Sequence, residues 1–328
     1  MKNVIFILAI ISFLSCSAQQ PVDNRVREIV FKNVSIIPMD KNEVLAKRDV
    51  VIKNGVIAAI GETSKIKFGS DAVVIDGKGK FLMPGLAEMH AHVPPVDDLA
   101  PMKDVLMLFA LSGVTTIRGM LGHPRHLELR SKIQSGEITG PTFITSGPSF
   151  SGNSVKTPEA AVTMVQDEKK AGYDFLKLHP GLSKETFAAV VSTAKSVKIP
   201  FAGHVSFDVG VWWAARSGCA TIDHLDGFVE SLVPGIENMK EQEAGLFGLF
   251  IADKANESGI PKLMDSLRNY HIWVVPTQAL AERWFHPEKN ADALGTEPEM
   301  KYMDPNTVTG WITAKKNLVS NPNYKPAT

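Results

Sequence analysis

Four histidines and one lysine stand where residue type and spacing could do chemistry. His90 and His92 lie two apart at the end of an apolar run, in Met89-His90-Ala91-His92. Side chains at i and i+2 of a strand point to the same face, so two imidazoles there can hold one metal ion. His204 ends a second run, Phe201-Ala202-Gly203-His204, and His224 a third, Thr221-Ile222-Asp223-His224. Singly, each would more often be a satisfied structural histidine. Together at three strand ends they form a donor set for zinc and similar ions. Lys177 lies in Phe175-Leu176-Lys177-Leu178. As an ammonium it would repel metals. Burial lowers a lysine pKa, and the neutral amine can react with carbon dioxide to give a carbamate, an oxygen ligand.

The elements that must position these groups follow from the patterning. Residues 27 to 83 read as short strands, with Asn54-Gly55 favouring a two-residue hairpin turn. From Phe81 the texture changes to strand–helix alternation. Strands are expected at Leu82–Glu88, Val114–Arg118, Thr142–Ser146, Phe175–Leu178, Phe201–Gly203, Thr221–Asp223 and Ile272–Pro276. Helices are expected between them, at Met102–Ser112, His126–Gln134, Pro158–Ala171, Lys184–Ser196, Val209–Arg216 and Gly248–Asn269. Thr157-Pro158-Glu159 and Ser183 read as helix starts. Repeated βα units imply a parallel sheet. A doubly wound sheet would carry a glycine-rich phosphate loop after its first strand; this strand ends in His90-Ala91-His92 instead. The expected fold is therefore α/β, a TIM-type (β/α)8 barrel without its eighth strand. The domains read as a leader over 1–20, a small β domain over 21–80 and the incomplete barrel over 81–328.

At these residues the chain resembles the amidohydrolase superfamily. Pro84-Gly85-Leu86-Ala87-Glu88-Met89-His90-Ala91-His92 is similar to its first-strand signature. Asn54 to Gly61 and Val74 to Gly79 are similar to its preceding β segment. Gly203-His204 and Ser217 to His224 resemble the imidazolonepropionase-like and prolidase-like branch. The resemblance runs from about residue 28 to about 280. It implies two divalent metal ions, expected to be zinc. His90 and His92 would bind one, His204 and His224 the other, and N-carboxylated Lys177 would bridge them. Water activated between the metals would attack a C–N bond. The family also places an aspartate at the end of its eighth strand as proton handler. No such strand precedes Thr328, and Asp292 and Asp304 read as lying in polar loops, poor substitutes. The chain thus reads as C-terminally truncated, with its catalytic carboxylate unassigned.

Further residues are candidates for the substrate pocket. His179 follows Lys177 by two; His123 and His126 follow the second strand; Thr277 ends the seventh. Cys219 has no evident paired base and reads as inert packing.

Composition bounds the alternatives. The 328 residues carry 35 Lys+Arg against 35 Asp+Glu and are 44% hydrophobic, which argues against disorder and against a nucleic-acid partner. Lys2, the apolar run Val4 to Leu14 and Ser15-Cys16-Ser17-Ala18 form an export signal, too short to span a bilayer. Phe13-Leu14-Ser15-Cys16 resembles a relaxed lipobox, so membrane attachment through lipidated Cys16 and cleavage after Ala18 both stay open, as does a homo-oligomer. The expected function is an exported, periplasmic or membrane-anchored, metal-dependent hydrolase of amide, cyclic amide or dipeptide bonds. The rivals are an inactive remnant or lipid-anchored binding protein and, less so, a mononuclear deaminase. A deaminase would carry an acid just after the fifth-strand histidine, where Val205-Ser206 stands, and would leave Lys177 without a task.

Overall fold

A computed structural model describes residues 28–286 and 290–325. The leader and Cys16 lie outside the described residues. The chain divides into two compact units, one ending at Pro84 and one beginning at Gly85. No described helix is long and apolar enough to cross a membrane.

The first unit is a sheet of β1 (Ile29–Ile36), β2 (Leu45–Lys53), β3 (Val56–Glu62), β4 (Val73–Asp76) and β5 (Phe81–Leu82). Its order is β3-β2-β1-β4, with β5 also on β1. β2 pairs antiparallel with β1 and β3, while β4 and β5 run parallel to β1. Asn54 and Gly55 make the expected turn, both at positive φ. Val34, Ile36 and Val50 are its buried apolar centre. Buried Asp49 accepts from the amides of Asn33 at 2.8 Å and Ser64 at 3.0 Å. Burial pushes its pKa up, but these amides outweigh it and hold it low.

The second unit alternates strand and helix. Its strands are β6 (Leu86–Ala91), β7 (Val114–Gly119), β8 (Thr142–Thr145), β9 (Leu176–Leu178), β10 (Phe201–Gly203), β11 (Thr221–Asp223) and β12 (Trp273–Val275). All pair in parallel, as β6-β7-β8 and as β9-β10-β11-β12. Parallel bridges Ser146 to Phe175 and Phe150 to Leu178 join the two runs. The unit is a mixed α/β fold of parallel sheets, as expected. The first strand begins later than expected and so carries His90 within it.

The helices between strands are α1 (Leu99–Leu111), α2 (Arg125–Gln134), α3 (Pro158–Ala171), α4 (Lys184–Val197), α5 (Val211–Arg216), α6 (Phe228–Leu232), α7 (Glu241–Ala244) and α8 (Ile260–Asn269). After β12 come α9 (Gln278–Phe285), α10 (Ala291–Leu294) and α11 (Pro305–Val319). Thr157 and Ser183 cap α3 and α4 by accepting the amides of Ala160 and Thr186. The helices bury their apolar faces on the strands. Met102, Leu106 and Leu129 meet Ile117 and Phe143. Phe187, Val190, Ala214, Leu263 and Leu267 meet Leu176, Leu178, Phe201 and Ile222.

One expected helix forms only in its second half. Gly248–Asn269 is not continuous: 3₁₀ turns at Ala252–Lys254 and Glu257–Gly259 precede α8. The backbone turns extended at Ala255, and the Asn256 side chain takes the Ser258 amide, so the chain restarts rather than propagates.

A carboxyl behind the sheet is left neutral. Glu168 of α3 is 4% exposed, and neither oxygen has a well-formed hydrogen bond. Burial pushes its pKa up to about 8, with the nearby Gly147 backbone opposing. In the unfolded chain it ionises near its ordinary 4.5. The stability carried by the neutral form is whole below that pH and is lost as pH rises through about 8. Glu168→Gln should remove this loss. Urea denaturation above pH 8 should find the variant more stable than wild type; an equal pH slope in both would contradict the assignment.

Candidate metal centre

Strand parity sets the site. In β9, Leu176 and Leu178 face the helices, so Lys177 takes the opposite face. Arg118 alternates in the same way with Ile117, and Thr221 and Asp223 with Ile222. β6 adds a bulge: Glu88 pairs with Ile117 and Ala91 with Gly119, leaving one extra residue on β6. The His90 amide there bonds the Glu88 carboxylate at 2.8 Å.

These strands bring five imidazoles together. Ring centroids are 5.2 Å apart for His90 and His92, 4.3 Å for His90 and His224, 4.7 Å for His204 and His224, and 4.9 Å for His179 and His204. His90 of β6 thus meets residues of β11, although four strands stand between them in the series.

Three of these rings have their Nδ1 proton pinned. His90 Nδ1 lies 2.7 Å from Asp223 Oδ2. His204 Nδ1 lies 2.9 Å from Asp226 Oδ2, which also accepts the Val205 amide. His224 Nδ1 lies 2.7 Å from Thr277 Oγ1, whose own proton goes to the Pro276 carbonyl. Each acceptor fixes the tautomer with Nδ1 protonated and leaves Nε2 as a lone pair. Burial, with neighbouring positive charge, depresses the imidazoles, His204 and His179 to about 3. They are neutral donors at neutral pH.

Asp223 holds the centre electrically. Oδ1 accepts from Thr221 Oγ1 at 2.7 Å and Arg118 Nη2 at 3.3 Å, and Oδ2 faces His90. Arg118 also donates to Met89 O at 2.8 Å and Thr221 Oγ1 at 3.0 Å. Burial pushes the Asp223 pKa up, but the His90 bond and the Lys177 and Arg118 charges overcome it and hold it at about 2.

Lys177 is fully buried, and its Nζ has no hydrogen-bond partner. Its nearest anion is Asp223 Oδ2 at 3.9 Å. Burial pulls its pKa down to about 8 against the attraction of Asp223. Gly203 makes room for it: a Cβ there would lie 2.9 Å from Lys177 Cδ and 2.5 Å from Leu178 O.

Two of these residues have the donor spacing of one cation's coordination shell. The Nε2 atoms of His90 and His92 are 3.3 Å apart, the edge of a tetrahedron built on Zn–N bonds of about 2.0–2.1 Å. Among the described residues no three His, Cys, Asp or Glu side chains already converge as ligands of one ion. The expected set has two imidazoles per ion and a lysine-derived oxygen, and the orphaned Lys177 lies near enough to His90, His92, His204 and His224 for its charge to act on all four.

Other candidates fall elsewhere. Thr277 orients His224, in a left-handed conformation (φ 49°) strained for a β-branched residue. His123 pairs with Asp97 and packs on His126, which is buried against Phe143 and bonds Pro94 O; no contact joins either to the cluster among the described residues. Asp292 pairs with Lys316 and Asp304 caps α11. Asp223, Asp226, Arg118 and Phe247, which stacks on His204 and His224, were not singled out from the sequence. Asp223 directly before His224 was the available signal. Replacing Asp223 by Asn should strand the buried Arg118 charge and cost on the order of 3–5 kcal/mol, read by urea denaturation; a loss below about 1 kcal/mol would show that Arg118 needs no counter-ion.

No family model matches the chain. An enamidase of Eubacterium barkeri is 35% identical over 111 residues, 33% of this chain and 28% of the relative. A dihydroorotase of Thermoanaerobacter sp. (strain X514) is 32% identical over 94 residues, 28% of this chain and 21% of the relative. The chain therefore spans less than a third of these curated relatives. A putative prolidase from Bifidobacterium longum has the same fold, with TM-score 0.59 and 20% identity over 89% of this chain and 69% of that one. These relatives are hydrolases of carbon–nitrogen bonds. The matches and the shared fold agree with the resemblance in the histidine motifs, and all of them point to the amidohydrolase superfamily.

Proposed function

We propose that the chain is part of an exported, metal-dependent hydrolase that breaks a C–N bond in a small amide, cyclic amide or dipeptide. The observation that carries this is the buried Lys177 Nζ, without a hydrogen bond, beside three imidazoles whose Nδ1 is held by an acceptor and whose Nε2 faces the cluster as the lone pair. His90 and His92 would hold one divalent cation, His204 and His224 the other, and Lys177, once carboxylated, both. Bound there, zinc or a similar ion supplies Lewis acidity for the carbonyl and makes water more acidic. The contacts of β6 and β7 with β11 support a barrel arrangement of the seven parallel strands. The histidine motifs favour the imidazolonepropionase-like and prolidase-like branch.

The chain's own groups prepare the reaction. Asp223, Asp226 and Thr277 hold three imidazoles in the ligand tautomer. Arg118 neutralises Asp223, so Lys177 has no need to stay charged. His179, edge-on to His204 at 4.9 Å, is placed to touch substrate as a neutral hydrogen-bonding group. In the overall reaction water adds its oxygen to the acyl carbon, the C–N bond breaks, and the amine leaves with the proton. Attachment through Cys16 and self-association remain part of the proposal.

The test is metal analysis beside amine and ammonia release from dipeptides, N-acyl amino acids and cyclic amides. The expected result is two zinc ions per chain, silencing by chelator, and loss of both metal and activity in Lys177→Ala. Unchanged metal content in that variant would remove the bridging role. Intact-mass measurement of native protein should show processing between Ser15 and Gln19; an unprocessed amino terminus would overturn export.

A further inference from the structure

Phe247 covers the histidine cluster in a conformation that bulky residues rarely adopt. Its φ is 55° and its ψ 29°, in the left-handed region. The turn is over-determined: Gly245 (φ 71°) and Gly248 (φ 72°) flank it, and a Cβ on Gly245 would lie 2.4 Å from the Phe250 ring. The strain delivers the ring onto the site. It stacks on His224 at 5.2 Å and 23° between planes, and on His204 at 6.1 Å and 14°. An imidazole lone pair lies in the ring plane, so a ring on its face leaves the Nε2 donors free.

A second element extends this surface. Phe285, at the end of α9, lies 6.1 Å from Phe247 at 60°, and Trp284 stacks on Phe285 at 5.7 Å. That end of α9 is tied down from outside. Lys315 Nζ donates to Arg283 O at 2.7 Å and His286 O at 3.0 Å, and Tyr324 Oη donates to Phe285 O at 2.6 Å.

We propose that Phe247, with Phe285 and Trp284 beside it, is the specificity wall of this site, selecting substrates with a flat, uncharged aromatic ring next to the scissile C–N bond. This rests on the C–N hydrolase reading. Flat rings stack against such a surface with little loss of hydration, whereas a polar or charged side chain gives up water there and finds only ring faces.

The test separates selection from turnover. Binding of N-acetyl-L-phenylalanine and N-acetyl-L-serine to the zinc-loaded chain is measured by calorimetry, beside hydrolysis of both. Wild type should prefer the phenylalanine probe about tenfold or more. Phe247→Gly should abolish the preference and keep its melting temperature, because glycine relieves the left-handed strain; Phe247→Tyr should retain the preference. A preference near one in wild type, or one unchanged in Phe247→Gly, overturns the wall. So does a steep fall in melting temperature with selection intact, which marks a residue held only for packing. If Phe247→Gly fails to fold, Phe285→Ala is read in the same way. Selective binding without turnover would sink the hydrolase reading and leave the wall standing; turnover without selection would do the reverse.

Discussion

A single buried carboxylate organises the second unit. Asp223 is wholly inside the protein and divides its oxygens among Thr221, Arg118 and His90. A buried charge is tolerated only when it is paired and hydrogen-bonded. Arg118 supplies the compensating charge from β7 and is itself fixed to the backbone of β6. The anion therefore ties β6, β7 and β11 together through side chains, where the backbone ladder joins only neighbouring strands. It also bears on Lys177: burial pulls the lysine's pKa down to about 8 against the attraction of Asp223, so more of it is the free amine than at an exposed lysine.

The same logic keeps the histidines neutral. A protonated imidazole can neither bind a cation nor sit easily beside Arg118. Three local acceptors of different kinds, two carboxylates and a hydroxyl, each fix one proton away from the centre. Two of the positions require unusual backbone: His224 (φ 62°) and Thr277 both stand in the left-handed region. Strain of this kind persists where the surroundings over-determine it, and it collects at functional sites.

The parts legible in the sequence were those governed by short periods. A spacing of two placed His90 beside His92, and strand-end position brought His204 and His224 to the same cluster. Leucines on both sides of Lys177 showed its burial. Local hydrogen-bonding chemistry marked the caps at Thr157 and Ser183. Asp223 escaped because strand parity sets it opposite its neighbour His224, and only the turn of the backbone at His224 lets both reach the cluster. Thr277 stood at the right place, but its bond to His224 spans 53 positions, beyond any local pattern. Phe247 escaped because it stands one residue before the helix expected over Gly248–Asn269, in a stretch with no periodic pattern, where the chain makes a short turn.

That crossover has its own apolar nucleus. Val233, Ala244 and Ile251 are buried together, with Val229, Ile236, Met239 and Phe207 packed on them. All but Phe207 belong to the crossover itself, and none of them packs in the two clusters beneath the strands. The crossover is thus divided: Phe228, Leu263 and Leu267 at its two ends pack on the main core, while the stretch between them closes on its own apolar centre. The strands could keep their histidines unchanged through evolutionary time while that middle stretch was exchanged above them, and one scaffold could serve a succession of chemistries.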